Sequence, residues 1–158
     1  MSKILDGKLL SKQIKEELKF QVDILIKSGK KVPHLAAIIV GNDGASLTYV
    51  SSKVKSCEKI GYNSTLIKLD EKISEQKLIN EINKLNQNSD VDGFIVQLPL
   101  PKHINEEKIL NQINPSKDVD GFHPSNFGKM ALGLETFIPA TPYGCLLYTS
   151  DAADDIPR

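Results

Sequence analysis

Tyr49 and Lys53 are four residues apart in a stretch whose apolar residues recur at helical spacing, so their side chains lie on one face of a helix. They fall beside the apolar stripe of that helix, neither within it nor opposite it. An amine at such a border can be partly desolvated and can then exchange protons near neutral pH. The alternative is a surface lysine whose stem lies along a half-buried tyrosine. Spacing alone favours this alternative, because lysine side chains are mostly exposed.

Polar side chains also follow the apolar segments further along the chain. Gln97 ends an apolar stretch, and a buried amide needs partners, either Lys53 or neighbouring backbone. Asp118 and Asp120 flank Val119 and would face the same side of an extended chain. Asp118 is expected to cap a turn, whereas Asp120 can accept hydrogen bonds from the N–H groups of a ligand. No cluster of His or further acidic residues accompanies them, so no metal site is predicted.

Residues 41–46, GNDGAS, follow an apolar stretch and could hold a phosphate through backbone N–H groups. The segment matches neither GxxxxGK[ST] nor GxGxxG, which favours an ordinary strand-to-helix turn. His34, His103 and His123 are scattered singly and are expected to be structural.

The elements that must position these side chains follow from apolar periodicity. Helices are predicted at residues 10–28, 45–60, 74–85 and 105–112, and buried strands at residues 35–40, 65–69 and 94–96. This alternation favours an α/β domain, a three-layer fold with a mainly parallel sheet and helices on both faces. Ligands bind beyond the carboxyl ends of the strands in such sheets, so the polar segments after the strands should converge on one rim.

Composition limits the class of partner. The chain has 158 residues, with 20 basic and 20 acidic side chains, so its formal net charge is zero. This balance argues against a nucleic acid or an anionic membrane as the main partner. No apolar run is long enough to span a bilayer, and no secretory signal is visible. The two cysteines form no CxxC pair, which predicts neither a disulfide scaffold nor a zinc site and favours a cytoplasmic location.

Taken together, four segments resemble, in order, the signatures of the methylenetetrahydrofolate dehydrogenase/cyclohydrolase family. They are VGNDGAS with YVSSK, VDGFIVQLPLP, PSKDVDGFHPSN and FIPATPYG, within a match that covers roughly residues 3–146. Four ordered matches are far more specific than any one of them. Ala140 departs from the cysteine expected at its position and is expected to lie away from the chemistry.

The resemblance implies a role for each residue singled out above. Lys53 would be the catalytic lysine, assisted by Gln97, which would hold and tune it, and by Tyr49, which would stack on the folate rings. Asp120 would hydrogen-bond the pterin-like ring, and the loop from Leu98 would shape the cleft wall. The predicted catalytic residues are thus Lys53, Gln97 and Tyr49. The predicted substrate-binding residues are Tyr49, Lys53, Gln97, Leu98, Pro99, Leu100 and Asp120.

The implied reactions belong to one-carbon metabolism. They are oxidation of 5,10-methylenetetrahydrofolate with NADP and hydrolysis of the methenyl product to 10-formyltetrahydrofolate. The family typically forms homodimers and binds NADP mainly through a C-terminal Rossmann domain, which is not expected in this sequence. We therefore expect residues 1–146 to be the catalytic domain and to lack dehydrogenase activity alone. Residues 147–158 resemble translated vector sequence and are expected to be a poorly ordered, non-native tail.

Two other classes stay open from the residues alone. A short-chain dehydrogenase also uses a tyrosine and a lysine four apart, but it needs a glycine-rich dinucleotide loop upstream. A flavodoxin-like, non-enzymatic binding module would share the α/β fold. Ligand titration distinguishes the three classes. Folate binding at Tyr49 indicates the folate enzyme, nucleotide binding at residues 41–46 indicates the short-chain dehydrogenase, and the absence of both indicates the binding module.

Overall fold

The computed structural model describes residues 6–145 of the chain. The elements follow in the order α1 (Gly7–Lys27), β1 (His34–Val40), α2 (Gly44–Ile60), β2 (Asn63–Leu69), α3 (Glu75–Gln87), β3 (Gly93–Val96), α4 (Glu106–Leu110) and α5 (Pro124–Ala131). Residues 140–145 are also helical. The expected non-native tail at residues 147–158 lies outside the described residues.

The three strands form one parallel sheet in the order β2-β1-β3. The central strand, β1, pairs with both neighbours, and its last five residues are buried. The edge strand, β2, shows a mixed pattern of exposed and partly buried positions. Parallel strands require crossover connections, which α2 and α3 supply in this chain.

Alternate residues of a strand point to opposite faces of the sheet, and this alternation divides the core in two. On one face β1 and β3 pack against α3 and α4 through residues that include Ile38, Phe94, Leu78, Ile82 and Ile109. On the other face they pack against α2 through residues that include Ile39, Ile95, Val50 and Val54. The predicted α/β fold with helices on both faces of a parallel sheet is confirmed.

Capping side chains and one glycine determine where α2 and α3 begin and where α2 ends. The Asp43 side chain accepts a hydrogen bond from the N–H of Ser46 at the start of α2. That helix ends at Gly61, whose φ of 85° is a left-handed conformation that favours glycine. At the start of α3 the Ser74 side chain accepts a hydrogen bond from the N–H of Lys77 and caps the helix.

Two features of the helices differ from the sequence prediction. The apolar stripe of α1 is buried at Val22, but Leu10 and Ile14 remain exposed along a shallow groove beside α2. Periodicity predicts the helix correctly but does not determine how much of its stripe the neighbouring elements cover. Helix α5 was not predicted from the sequence, because Pro124 and Gly128 within eight residues obscure its helical pattern.

Candidate functional site

A cavity of about 370 Å³ opens at the carboxyl end of β3. Four separate parts of the chain line it, and its lining residues are Tyr49, Lys53, Val96, Gln97, Leu98, Asp120, Phe122 and residues 139–142. The predicted convergence on the rim of the sheet is therefore observed. It brings together an amine, a phenol ring, an amide and a carboxylate.

The lysine and the carboxylate form an ion pair within this cavity. Lys53 Nζ lies 3.5 Å from Asp120 Oδ1, and the two side chains are 28% and 29% exposed. The same amine lies 4.9 Å from the centroid of the Tyr49 ring, which is a cation–π distance. Burial raises the pKa of Asp120, and the positive charge of Lys53 opposes that rise. The site therefore contains a charged donor and a charged acceptor that are both only partly hydrated.

The arrangement around Gln97 differs from the predicted contact. Lys53 donates to the Asp120 carboxylate rather than to the Gln97 amide. Gln97 Nε2 instead donates to the carbonyl oxygen of Leu98 over 2.7 Å. The physical reason is that the adjacent backbone already satisfies the amide group, while the amine gains more from a countercharge than from a neutral oxygen.

Asp118 holds the turn that presents Asp120. Its side chain is 1% exposed, and it accepts hydrogen bonds from the backbone N–H groups of Gly121 and His123 and from Nδ2 of Asn126. The turn is also tied to the sheet, because the N–H of Phe94 donates to the carbonyl of residue 117. The predicted turn-capping role of Asp118 is confirmed, so its carboxylate has a structural function distinct from that of Asp120.

Gly121 brings the far wall of the cavity into place. Its φ is 71°, and a Cβ added there would lie 2.4 Å from the carbonyl oxygen of Phe137 and 3.0 Å from Cδ of Pro139. Contacts this close exclude any side chain at position 121. The turn after Asp120 can therefore pack directly on the segment that continues into residues 139–142.

The remaining predicted site residues occupy different positions. Leu98 lines the cavity, whereas Pro99 is exposed and Leu100 is buried in the core, both outside the lining. The expectation that Ala140 lies away from the chemistry is wrong, because Ala140 lines the same cavity as Lys53.

Besides Ala140, five lining residues were not predicted from the sequence: Val96, Phe122, Pro139, Thr141 and Pro142. All five lie inside the segments that resemble the family signatures. A search for further side chains within those motifs would have identified them.

Residues 41–46 do not line the cavity and behave as a strand-to-helix turn. The hydrogen bond from the N–H of Ser46 lowers the pKa of Asp43, so this carboxylate stays charged at the start of α2. A negative charge already placed at these donors disfavours a phosphate there. The loop therefore does not fit a bound dinucleotide.

A larger groove of about 540 Å³ lies between α1 and α2. Its lining is mainly lysine and contains no aromatic residue, and Lys12 and Lys19 within it pair with acidic residues of the same helix. It lacks the mixture of ring, amine and carboxylate found at the end of β3. We therefore take the smaller cavity as the candidate site.

Two further properties concern the described part of the chain, residues 6–145. No three His, Cys, Asp or Glu side chains in it are grouped so that they could hold a metal ion. None of its helices combines the length and the apolar character needed to cross a membrane.

Comparison with known proteins gives consistent matches. Residues 5–120 match the family described as the tetrahydrofolate dehydrogenase/cyclohydrolase catalytic domain. The chain is 61% identical over 143 residues to the bifunctional protein FolD of Christiangramia forsetii, and this match covers 90% of the chain and 48% of the relative. A relative of the same name from Flavobacterium psychrophilum is also 61% identical, with 90% and 49% covered. The chain thus spans about half the length of the curated relatives it matches.

Solved structures give the same result. A bifunctional methylenetetrahydrofolate dehydrogenase/cyclohydrolase from Campylobacter jejuni superimposes with a TM-score of 0.87 at 47% identity, covering 97% of this chain and 54% of that one. A related enzyme from Trypanosoma brucei, complexed with NADP and an inhibitor, gives a TM-score of 0.88 at 28% identity, covering 96% and 52%. Both matches are to about half of a longer protein.

Proposed function

Because the chain belongs to the tetrahydrofolate dehydrogenase/cyclohydrolase family, we propose that the cavity at the end of β3 binds a tetrahydrofolate and that Lys53 transfers protons at its one-carbon bridge. The observation that carries this proposal is that Tyr49, Lys53, Gln97 and Asp120 line one cavity although 71 positions separate the first from the last in sequence, from 49 to 120. A folate presents aromatic faces, ring N–H donors and a reactive carbon. Each of these features has a chemically matching side chain in the cavity.

The cyclohydrolase step requires proton transfer both when water adds and when the bond to N5 breaks. Water adds to the carbon of the cationic methenyl bridge and loses one proton. The bond from that carbon to N5 then breaks, N5 gains a proton, the added hydroxyl group loses its remaining proton to water, and the 10-formyl product forms. Once N–H groups of the substrate displace Lys53 from Asp120, the amine can lose its proton. In this neutral form Lys53 can accept the first proton and return one to N5, and a positioned acid–base group of this kind contributes about 10²- to 10⁴-fold in rate.

Asp120 and Tyr49 would orient the substrate around that lysine. The Asp120 carboxylate accepts hydrogen bonds from ring N–H groups, and its partial burial strengthens those bonds. Tyr49 is 54% exposed, so part of its ring is accessible for stacking. Both contacts hold the bridge carbon near Lys53, and this positioning lowers the entropic cost of reaction.

Gln97 and the loop after it would complete the wall. Gln97 lines the cavity. Its side-chain N–H group donates to the Leu98 carbonyl, whereas its side-chain oxygen accepts no hydrogen bond from residues 6–145 and is available to a ligand. Leu98 contributes apolar lining. Leu100 supports the loop from the core, where its backbone N–H also donates to Glu106.

We propose the NADP-dependent oxidation for proteins of the relatives' full length, and not for residues 1–146 alone. Residues 41–46 do not fit a dinucleotide phosphate, because Asp43 occupies the start of α2. We propose that the cofactor is bound mainly by the C-terminal half that the relatives possess, and that residues 1–146 are the folate domain. The homodimeric state and the cytoplasmic location remain predictions.

The proposal is tested by hydrolysis of 5,10-methenyltetrahydrofolate, followed through the loss of its absorbance. The assay uses the 158-residue chain and a chimera that joins residues 1–146 to the C-terminal half of the Flavobacterium psychrophilum relative. Lys53→Met removes the amine and keeps much of the side-chain length, and the matched control is Lys55→Met, an exposed lysine of α2 outside the cavity. We expect Lys53→Met to lower the rate of the active form by about 100-fold or more. Equal rates for wild type and Lys53→Met would refute the proposed role.

A further inference from the structure

Phe122 is an aromatic side chain that the roles above leave unused. It lines the cavity, follows Asp120 by two positions, and is 42% exposed. Residues two apart in the chain have Cα atoms within about 7 Å, so Asp120 and Phe122 belong to neighbouring parts of the cavity wall. An apolar ring this exposed beside a charged pair gains free energy when a ligand covers it.

The backbone on both sides of Phe122 is fixed. The N–H of Gly121 donates to Asp118 Oδ1 over 3.1 Å, and the N–H of His123 donates to Asp118 Oδ2 over 2.8 Å. Because Asp118 is buried, both hydrogen bonds are shielded from water. The turn therefore presents the ring of Phe122 from a rigid position, which reduces the entropy lost when a ligand binds.

Tyr49 leaves room for a second aromatic contact. The amine of Lys53 lies over the Tyr49 ring, so a ligand that stacks on Tyr49 must use the opposite face or displace the amine. Among residues 6–145, no lysine or arginine lies over the ring of Phe122. A flat ligand held at Asp120 thus has a second, partly exposed aromatic surface on the adjacent turn.

On these grounds, and resting on the proposed function, we infer that Phe122 is a further substrate-contacting residue that packs against the pterin-like ring held by Asp120. Aromatic contacts of this kind contribute a few-fold to about tenfold in affinity beyond the area they bury. This contact favours binding of the pterin end of the substrate. Phe122 is therefore a specificity residue rather than a participant in proton transfer.

The test is calorimetric titration of the 158-residue chain with tetrahydrofolate and with two fragments. One fragment, 6-methyltetrahydropterin, contains the pterin end, and the other, 4-aminobenzoylglutamate, contains the remainder. The variants are Phe122→Ala and Phe122→Leu, and urea unfolding checks that each is folded. The matched control is Phe127→Ala, because Phe127 is 58% exposed in α5 and does not line the cavity.

We expect Phe122→Ala to weaken binding of tetrahydrofolate and of the pterin fragment by about five- to tenfold, with Phe122→Leu intermediate. Binding of 4-aminobenzoylglutamate, and all binding by Phe127→Ala, should match wild type. Wild-type affinity in Phe122→Ala, or an equal loss for both fragments, would overturn the inference while leaving the proposed function standing. Failure of the wild-type chain to bind tetrahydrofolate would overturn both.

Discussion

Lys53 Nζ and Asp120 Oδ1 lie 3.5 Å apart although 67 positions separate the two residues in sequence, and their contact joins α2 to the turn before α5. The pair places a proton carrier beside a hydrogen-bond acceptor at the mouth of one cavity. In the absence of substrate each group is the partner of the other. A ligand that donates N–H groups to Asp120 would compete directly with Lys53 for that carboxylate.

The titration of Asp120 should affect stability in a defined direction. Burial raises the pKa of Asp120 above its ordinary value of 3.8, so the native chain binds this proton more tightly than the unfolded chain does. The contribution of Asp120 to the free energy of unfolding therefore falls as pH rises from the ordinary value to the raised native value. The Asp120→Asn variant lacks this pH-dependent fall. The difference in unfolding free energy, variant minus wild type, should therefore increase as the pH rises over this range. Urea unfolding at a series of pH values measures it.

The matched arm of this experiment is Lys53→Met. The positive charge of Lys53 lowers the pKa of Asp120, so its removal should extend the pH-dependent loss of stability to higher pH. If the difference in unfolding free energy between Asp120→Asn and wild type stayed constant or decreased with rising pH, burial would not raise the pKa of Asp120.

Asp118 should be required for folding rather than for binding. Asp118→Ala removes the buried acceptor of the N–H groups of Gly121 and His123, and it leaves the amide of Asn126 with only its hydrogen bond to the Pro115 carbonyl. We expect a loss of about 3 kcal/mol in the free energy of unfolding, since hydrogen bonds to a charged group contribute about 1.5–3 kcal/mol each and do not add fully. Asp118→Asn retains one side-chain oxygen as an acceptor and should lose less. An unchanged urea midpoint in Asp118→Ala would contradict this assignment.

Gly121 should tolerate no side chain. Gly121→Ala combines a left-handed backbone with a methyl group 2.4 Å from the Phe137 carbonyl oxygen, and we expect it to lower the free energy of unfolding by about 3 kcal/mol. The control is Gly128→Ala in α5, where a Cβ meets nothing within 4 Å. That substitution should stabilise the protein by up to about 1 kcal/mol, because alanine favours helix. Thermal unfolding of the two variants compares them, and similar shifts would refute the proposed close packing.

Much of the fold followed from local patterns. The buried strand that ends at Val40, the end of α2 at Ile60 and the start of α3 next to Ser74 were predicted from local signals, and the structure bears them out. The exposure of Leu10 and Ile14 was not predictable, because it depends on which neighbours reach the N-terminal half of α1. Helix α5 was missed because the cap at His123 and the buried Asn126 stabilise it, and neither is part of an apolar repeat.

The site was predictable in its members but not in its contacts. The rule that strand ends converge places Gln97 and Asp120 near α2, and the structure places both beside Lys53. Which group pairs with Lys53 depends on distances of a few ångströms, which sequence spacing cannot supply. The inclusion of Ala140 in the lining depends on the close packing at Gly121, and this long-range contact has no local signature.

The proposed function requires that a folate binds in the cavity at the end of β3 and not in the larger groove between α1 and α2. Titration of the isotopically labelled 158-residue chain with tetrahydrofolate, followed by amide chemical shifts, tests it directly. We predict the largest shift changes at Gln97, Leu98 and Asp120, with Lys15 and Lys59 of the larger groove unchanged. Changes concentrated at Lys15 and Lys59, with the cavity residues unaffected, would contradict the account.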